Sequence, residues 1–372
     1  MIALILAMLI GTGSPPTASL NSSIQTEPAI RGEAIYLNSC AACHGVDGRG
    51  ASQAMVGFDL ALPDFTDCEF APREPDGDWV TVAFLGGPSR GFSQLMPAFG
   101  EVLTMEELEH VIQHIRTFCP DRSWPRGDLN LPKAMVTEKA FPEDELIIVS
   151  TINSKKFDVA NKIIYEQRFG TQNQIEVVIP FAWSHLNDEL SGENHLRANL
   201  GDLALGYKRV LFHSLKSGSI LSATGELLVP IGDEASGTGG GTFLFEPFLA
   251  YSQAFPADFF MHLQTGVGLP FDRDKGANEG FFRLALGKSI NFSQFGRSWT
   301  PMVEFLAKKE FASGEQAQYD LLPQLQVTLN KRQNIMFNIG VRVPLNETAH
   351  RDVKIMVYLL WDWFDGGFFE GW

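Results

Sequence analysis

Cys40 and Cys43 stand three positions apart, and His44 follows at once, in the stretch CAACHG. Two cysteines at i and i+3 lie on one side of a helical turn. Each thiol can form a thioether to a haem vinyl group, and the next imidazole then reaches the iron from one face. The order Cys-x-x-Cys-His therefore predicts one covalently bound haem c, anchored by Cys40 and Cys43 and ligated by His44. An electron carrier needs a sixth iron ligand, and a soft thioether sulfur favours reduced iron. Met96 in QLMPAFGEVLT fits that role, with Pro97 stiffening the chain after it. Cofactor-binding residues are thus Cys40, Cys43, His44 and Met96, with His44 and Met96 on the metal. Met55 competes, but it follows the motif closely and lacks the Pro-x-aromatic loop. Pro63 is the candidate to direct backbone toward the His44 imidazole. A thiol–disulfide pair or half a zinc site is the plainer reading. Zinc would need further ligands, and Cys68 has no Cys or His paired with it nearby. A dithiol does not account for His44 and Met96 together.

The elements around these residues are helical. Gly32 to Asn38 reads as a short helix leading into the motif. Thr104 is an N-cap with Glu107 in the reciprocal position. The helix that follows runs to about Phe118, with Leu108, Val111, Ile112 and Ile115 on its apolar side. His110 and His114 fall on its surface. Cys68 and Cys119 are left over and could pair in an exported protein.

Gly32, Tyr36, Cys40, Cys43, His44, Gly45, Met96, Pro97 and the terminal helix make residues 25–122 similar to the class I cytochrome c family. That resemblance implies a small all-alpha electron carrier with His–Met ligation. The CEFAPREPDGDW stretch around Cys68 departs from the family pattern.

The whole chain has 372 residues, enough for two domains. Its 29 basic against 44 acidic residues argue against nucleic acid as a partner. Ile2 to Ile10 is an apolar run too short to span a bilayer and suited to a secretory signal, so residues 1–22 are read as a signal segment. No basic residue precedes that run. No later stretch reaches the length of a transmembrane helix. Residues 123–142, with Pro125, Gly127, Asp128, Pro132 and Lys133, read as a linker.

From 143 to 372 the pattern has period two. Tyr319, Leu321, Pro323, Leu325, Val327 and Leu329 alternate with Asp320, Leu322, Gln324, Gln326 and Thr328. Ile335 to Leu345 and Val353 to Trp363 repeat the pattern. Such alternation predicts about twelve antiparallel strands, long enough to cross a bilayer when tilted. Short joins such as 330–332 and long ones such as 232–240 and 271–278 fall on opposite rims. Lipid tolerates no open edge, so the sheet closes into a transmembrane barrel. Trp361, Trp363, Phe364, Phe368, Phe369 and Trp372 are read as an aromatic girdle. Arg209 and Arg283 fit the outward register badly, which calls for a bulge or a shifted strand. A soluble sandwich is the plainer reading of alternation alone. The stretches GDLALGYKRVLF, SATGELLVPIGD, FLFEPFLAYSQAF and LQTGVGLP resemble outer-membrane barrels of the phenol-degradation channel type. That resemblance implies a channel in the outer membrane of a Gram-negative bacterium.

The even strand count puts both barrel ends on one side, so the haem domain is expected in the periplasm at the barrel mouth. A twelve-strand barrel is too narrow to swallow it. The arrangement resembles outer-membrane cytochrome–porin fusions that oxidise extracellular iron. The first expectation is a membrane-tethered c-type cytochrome carrying single electrons to periplasmic redox partner proteins, with outer-membrane lipid around the barrel. The alternative is a channel or transporter for a small substrate, with the haem domain as accessory or gate. Its route would be lined by Glu226, Glu246, Gln264, Gln324, Gln326, Asn338 and Arg342. No catalytic residues stand out, and an electron-transfer protein is favoured over an enzyme.

Overall fold

Alternation of apolar and polar residues is realised as a closed antiparallel sheet. The computed structural model describes residues 26–57, 62–154, 158–187, 194–234, 237–291 and 296–363. The signal segment, Phe364, Phe368, Phe369 and Trp372 lie outside them. Twelve wall strands form the barrel. In chain order the strand segments are β1 (Glu145–Asn153), β2 (Val159–Phe169), β3 (Asn173–Asn187), β4 (Asn194–Leu200), β5 (Leu203–Ser214), β6 (Ser219–Val229), β7 (Leu244–Ala254), β8 (Phe259–Pro270), β9 (Glu279–Lys288), β10 (Ile290–Asn291), β11 (Ser298–Glu310), β12 (Gln318–Thr328), β13 (Ile335–Pro344) and β14 (Lys354–Asp362). Segments β4 and β5 both pair with β3 and make one wall strand. Segments β9 and β10 both pair with β11 and make another. The barrel closes where β1 pairs with β14, Glu145 opposite Asp362.

The two faces separate as the sequence pattern demands. Leu321, Leu325, Ile339, Val341, Ile355 and Leu359 are exposed on the outside. Leu322, Gln324, Gln326, Asn338, Tyr358 and Leu360 are buried inside. Exposed aromatics mark both rims: Phe169, Phe255 and Phe259 at the short-turn rim, Phe243, Phe271 and Phe311 at the long-loop rim. Trp363 departs from the expected girdle. It leaves the strand, donates its N–H to the Asp144 carbonyl, and is buried. The expected irregularity at Arg209 is a register shift between Val210 and Phe212. Arg283 instead points inward, to Gln264.

The helical domain precedes the barrel, with α1 (Thr26–Ser39), α2 (Ala41–His44), α3 (Gln53–Val56), α4 (Asp76–Leu85) and α5 (Met105–Ile115) in chain order. Helix α1 (Thr26–Ser39) crosses α5 (Met105–Ile115) where Gly32 meets the His110 carbonyl, a Cβ on Gly32 standing 2.1 Å from that oxygen. The Thr104–Glu107 capping box is present. Tyr36, Phe65, Val80, Val111, Ile112 and Ile115 form the core. Cys68 and Cys119 form a disulfide across 51 residues, with Cα atoms 5.4 Å apart.

The domain sits against the short-turn rim. Arg332, in the turn before β13, stacks over Phe92 at 4.5 Å. Gln172 and His213 both bond the Ser123 carbonyl. A cleft of about 550 Å³ remains between Asp78, Arg90 and Gln113 on one side and Asn291 and Gln333 on the other.

The segment that reads as a linker lies inside the barrel. Leu129, Ala134, Met135, Thr137, Ala140 and Phe141 are buried there. Met135 packs with Ile147, Leu306, Leu322 and Tyr358, and Leu129 and Phe141 pack with Val210 and Ile220. It has no ladder of its own, and irregular backbone at membrane depth needs protein partners. The inner face supplies them.

Candidate functional site

Two places carry chemistry: the Cys-x-x-Cys-His turn and the barrel lumen. The turn is a single helical one, α2 (Ala41–His44), closed by Gly45 at a φ of 75°. The His44 N–H bonds the Cys40 carbonyl at 2.9 Å, and the Tyr36 hydroxyl donates to the Gly45 carbonyl at 2.7 Å. The His44 ring stacks on Phe65 with centroids 5.1 Å apart. Cys40, Cys43 and His44 thus share one turn. Met96 stands on a separate loop, its carbonyl accepting the Gly87 N–H at 3.0 Å. Met55 is exposed.

The expectation of one covalent haem c is corrected here. The paired cysteines are Cys68 and Cys119, distant in sequence, while Cys40 and Cys43 are free thiols. An iron-ligating imidazole is normally oriented by an acceptor at its second nitrogen. The His44 Nδ1 is buried without a hydrogen-bond partner, so Pro63 does not supply one. Among the described residues the groupings able to hold a metal are Glu138, Glu166 and Glu176, and Glu143, Glu145 and Asp362, all in the barrel. Burial, and next the neighbouring Cys43, push the Cys40 thiol up to about 11. That leaves it protonated at neutral pH, unlike a reactive dithiol. Burial lowers the His44 pKa.

In the lumen the threaded segment is held by side chains of the inner face. Glu304 on β11 accepts the N–H groups of Met135 at 2.9 Å, Val136 at 3.1 Å and Thr137 at 2.6 Å. Gln264 on β8 accepts from the Glu138 N–H, and Ser252 on β7 from Ala140. Gln174 on β3 accepts from the Glu143 N–H at 2.7 Å. The carbonyls are met as well, Pro132 by His262 and Lys133 by Tyr358. Lys133 pairs with Glu138 at 2.9 Å. Lys139 pairs with Glu143, and with Glu145 at 3.6 Å. Arg73 of the helical domain pairs with Asp144, tying the segment's exit to that domain.

Every residue named from the sequence as a lumen candidate faces inward. Gln264, Gln324, Gln326 and Asn338 are buried, and Glu226, Glu246 and Arg342 are half-buried. Sequence reasoning missed Glu304, Ser252, Gln174 and His262, and the segment they hold. Each lies on an inward position of its strand, which period two alone could have shown. Their partners could not be found that way, being 31 to 169 positions distant for Gln174 and Glu304.

Comparison with known proteins gives a coarser result than the families named from the sequence. Residues 27–115 match the family described as Cytochrome C oxidase, cbb3-type, subunit III. No curated protein matches. The barrel is similar to the COG4313 outer membrane channel from Pseudomonas putida F1, at 11% identity and a TM-score of 0.43, covering 62% of this chain and 99% of that one. It is also similar to the NanC porin, at 8% identity and a TM-score of 0.41, covering 58% of this chain and 98% of that one. The KdgM porin in complex with disordered oligogalacturonate gives 10% identity and a TM-score of 0.38, covering 59% and 98%. The chain joins a helical domain, matched to that family over residues 27–115, to a twelve-strand antiparallel barrel. A specific phenol-channel or class I cytochrome c assignment does not follow.

Proposed function

We propose that this chain is an outer-membrane channel or transporter for a small substrate, with the helical domain as a cap on its periplasmic mouth. One observation carries the reading: a closed wall with an apolar outside and an inner face where buried polar and charged residues stand among apolar clusters. A barrel serving only as an anchor has no need of a hydrophilic interior. Both barrel ends lie at the short-turn rim, the rim that faces the periplasm in bacterial barrels. The segment through residues 127–144 occupies the lumen, held by Glu304, Gln264 and Ser252, so passage should widen when it shifts. The test is conductance and liposome swelling with the full chain in lipid, beside a Glu304→Ala variant. Solute entry that rises in the variant supports a plugged channel. An impermeable barrel in both would sink the reading.

A further inference from the structure

Residues directly opposite each other across a sheet form rows perpendicular to the strands. On the inner face one such row is acidic. Asp362 stands opposite Glu145, Glu145 opposite Glu166, and Glu166 opposite Glu176. The row passes Gly206 and continues with Glu226 opposite Glu246. The register of β7 and β8 then sets Gly268 in the row, and Glu279 stands opposite Gly268.

A row perpendicular to tilted strands climbs as it goes round. Eight steps of about 4.8 Å on strands tilted by about 40° rise roughly 25 Å, the height of the apolar band of such barrels. The strand ends agree with this. Asp362 and Glu145 end and begin their strands at the short-turn rim, and Glu279 begins β9 at the long-loop rim. The two gaps are glycines, and the neighbouring acids lean over them. A Cβ on Gly206 would meet the Glu176 Cβ at 3.1 Å, and one on Gly268 the Glu279 Cγ at 2.6 Å. The acidic row is thus a continuous screw from one mouth to the other.

Like charges directly opposite on paired strands are destabilising, and the wall compensates them only in part, with Lys308 on β11 paired to Glu279 and Lys208 on β5 facing Glu166. Glu166 is fully buried, and no hydrogen-bond donor reaches either of its oxygens. For Glu226 and Glu246 the facing cations are Lys162 and Arg283, which act from beyond ion-pair distance. Near the inner mouth the missing positive charge comes from the threaded segment, as Lys139 beside Glu145. From these observations we infer that the acidic screw is a track for small cations, and that the segment's lysines occupy its inner part as tethered stand-ins for the cargo.

The inference rests on the channel reading and names its cargo class. It is tested on the full chain in planar bilayers, from the reversal potential under a potassium chloride gradient. Potassium is expected to permeate about tenfold better than chloride, as a focused acidic lining allows. Glu226→Gln with Glu246→Gln should bring the ratio close to one. The single Glu279→Gln change at the rim, which also releases Lys308 from its ion pair, should lower it. Glu234→Gln, in a loop off the row and paired with Lys275, should leave it unchanged. Replacing potassium by arginine separates organic from inorganic cations as cargo. Chloride preference, or a ratio untouched by the row variants, overturns the track while leaving the channel. Absence of current in both the native chain and Glu304→Ala overturns the channel reading and the track with it.

Discussion

The Glu304 carboxylate on β11 takes the backbone N–H of Thr137 at 2.6 Å and its hydroxyl as well. The same carboxylate caps Met135 and Val136, so one wall residue fixes the deepest turn of the luminal segment. Replacing Glu304 by Ala leaves the Val136 and Thr137 N–H groups without an acceptor, Met135 keeping Gln324, and each orphaned group costs about 1–3 kcal/mol. The expected outcome is a segment that visits the open lumen more often, read as larger and noisier single-channel current. Unchanged current would show that the other wall partners suffice.

Gly32 allows α1 and α5 to touch backbone to backbone. Gly32→Ala sets a methyl against the His110 carbonyl, and such overpacking costs about 1–3 kcal/mol. The helical domain should melt earlier by circular dichroism, while the barrel's own transition stays in place.

Acid should weaken the helical domain in two stages. Burial lowers the His114 pKa from its ordinary 6.5. The unfolded chain therefore binds a proton first, and stability falls as the pH drops below about 6.5. The capping bonds from Thr104, helped by Arg31, lower the Glu107 pKa from 4.5. Its contribution is present above that value and lost as the pH falls through the lower folded one. Denaturant melts between pH 7 and pH 3 check both stages. His114→Gln should reduce the first, to which buried His44 also contributes, and Glu107→Gln should flatten the second.

Leu325 stands on the outer face of β12, and Gln324 beside it on the inner face. Leu325→Arg should cost about 2–4 kcal/mol if that face meets the bilayer midplane. Folding into liposomes from denaturant measures it. An equal tolerance of Arg and Leu there would contradict the membrane wall.

Period-two alternation made the wall legible, down to the inward Gln324 and Asn338 and the irregularity at Arg209, because one strand carries its own two-faced pattern. The Thr104–Glu107 box was legible for the same local reason. The luminal segment was not, since Pro132, Gly127 and Asp128 are as common in solvated linkers and its bonds reach strands far along the chain. The acidic screw was hidden too, because most strands give it a single carboxylate and only the register across many pairings aligns them. The Cys68–Cys119 pairing, raised from the sequence, is formed, whereas the haem expectation followed a local motif from which the orphaned Nδ1 of His44 could not be read.

The luminal segment enters beside Ser123 and leaves at Asp144, both at the same mouth, with its depth reached near Thr137. Topologically it is a bight, a loop pushed into a tube rather than a cord drawn through it. No chain end has to pass the barrel for the lumen to clear. Because Arg73 grips Asp144 at the exit, a pull on the helical domain is a pull on the loop, and the loop can be drawn out of the mouth it entered with every strand still in register.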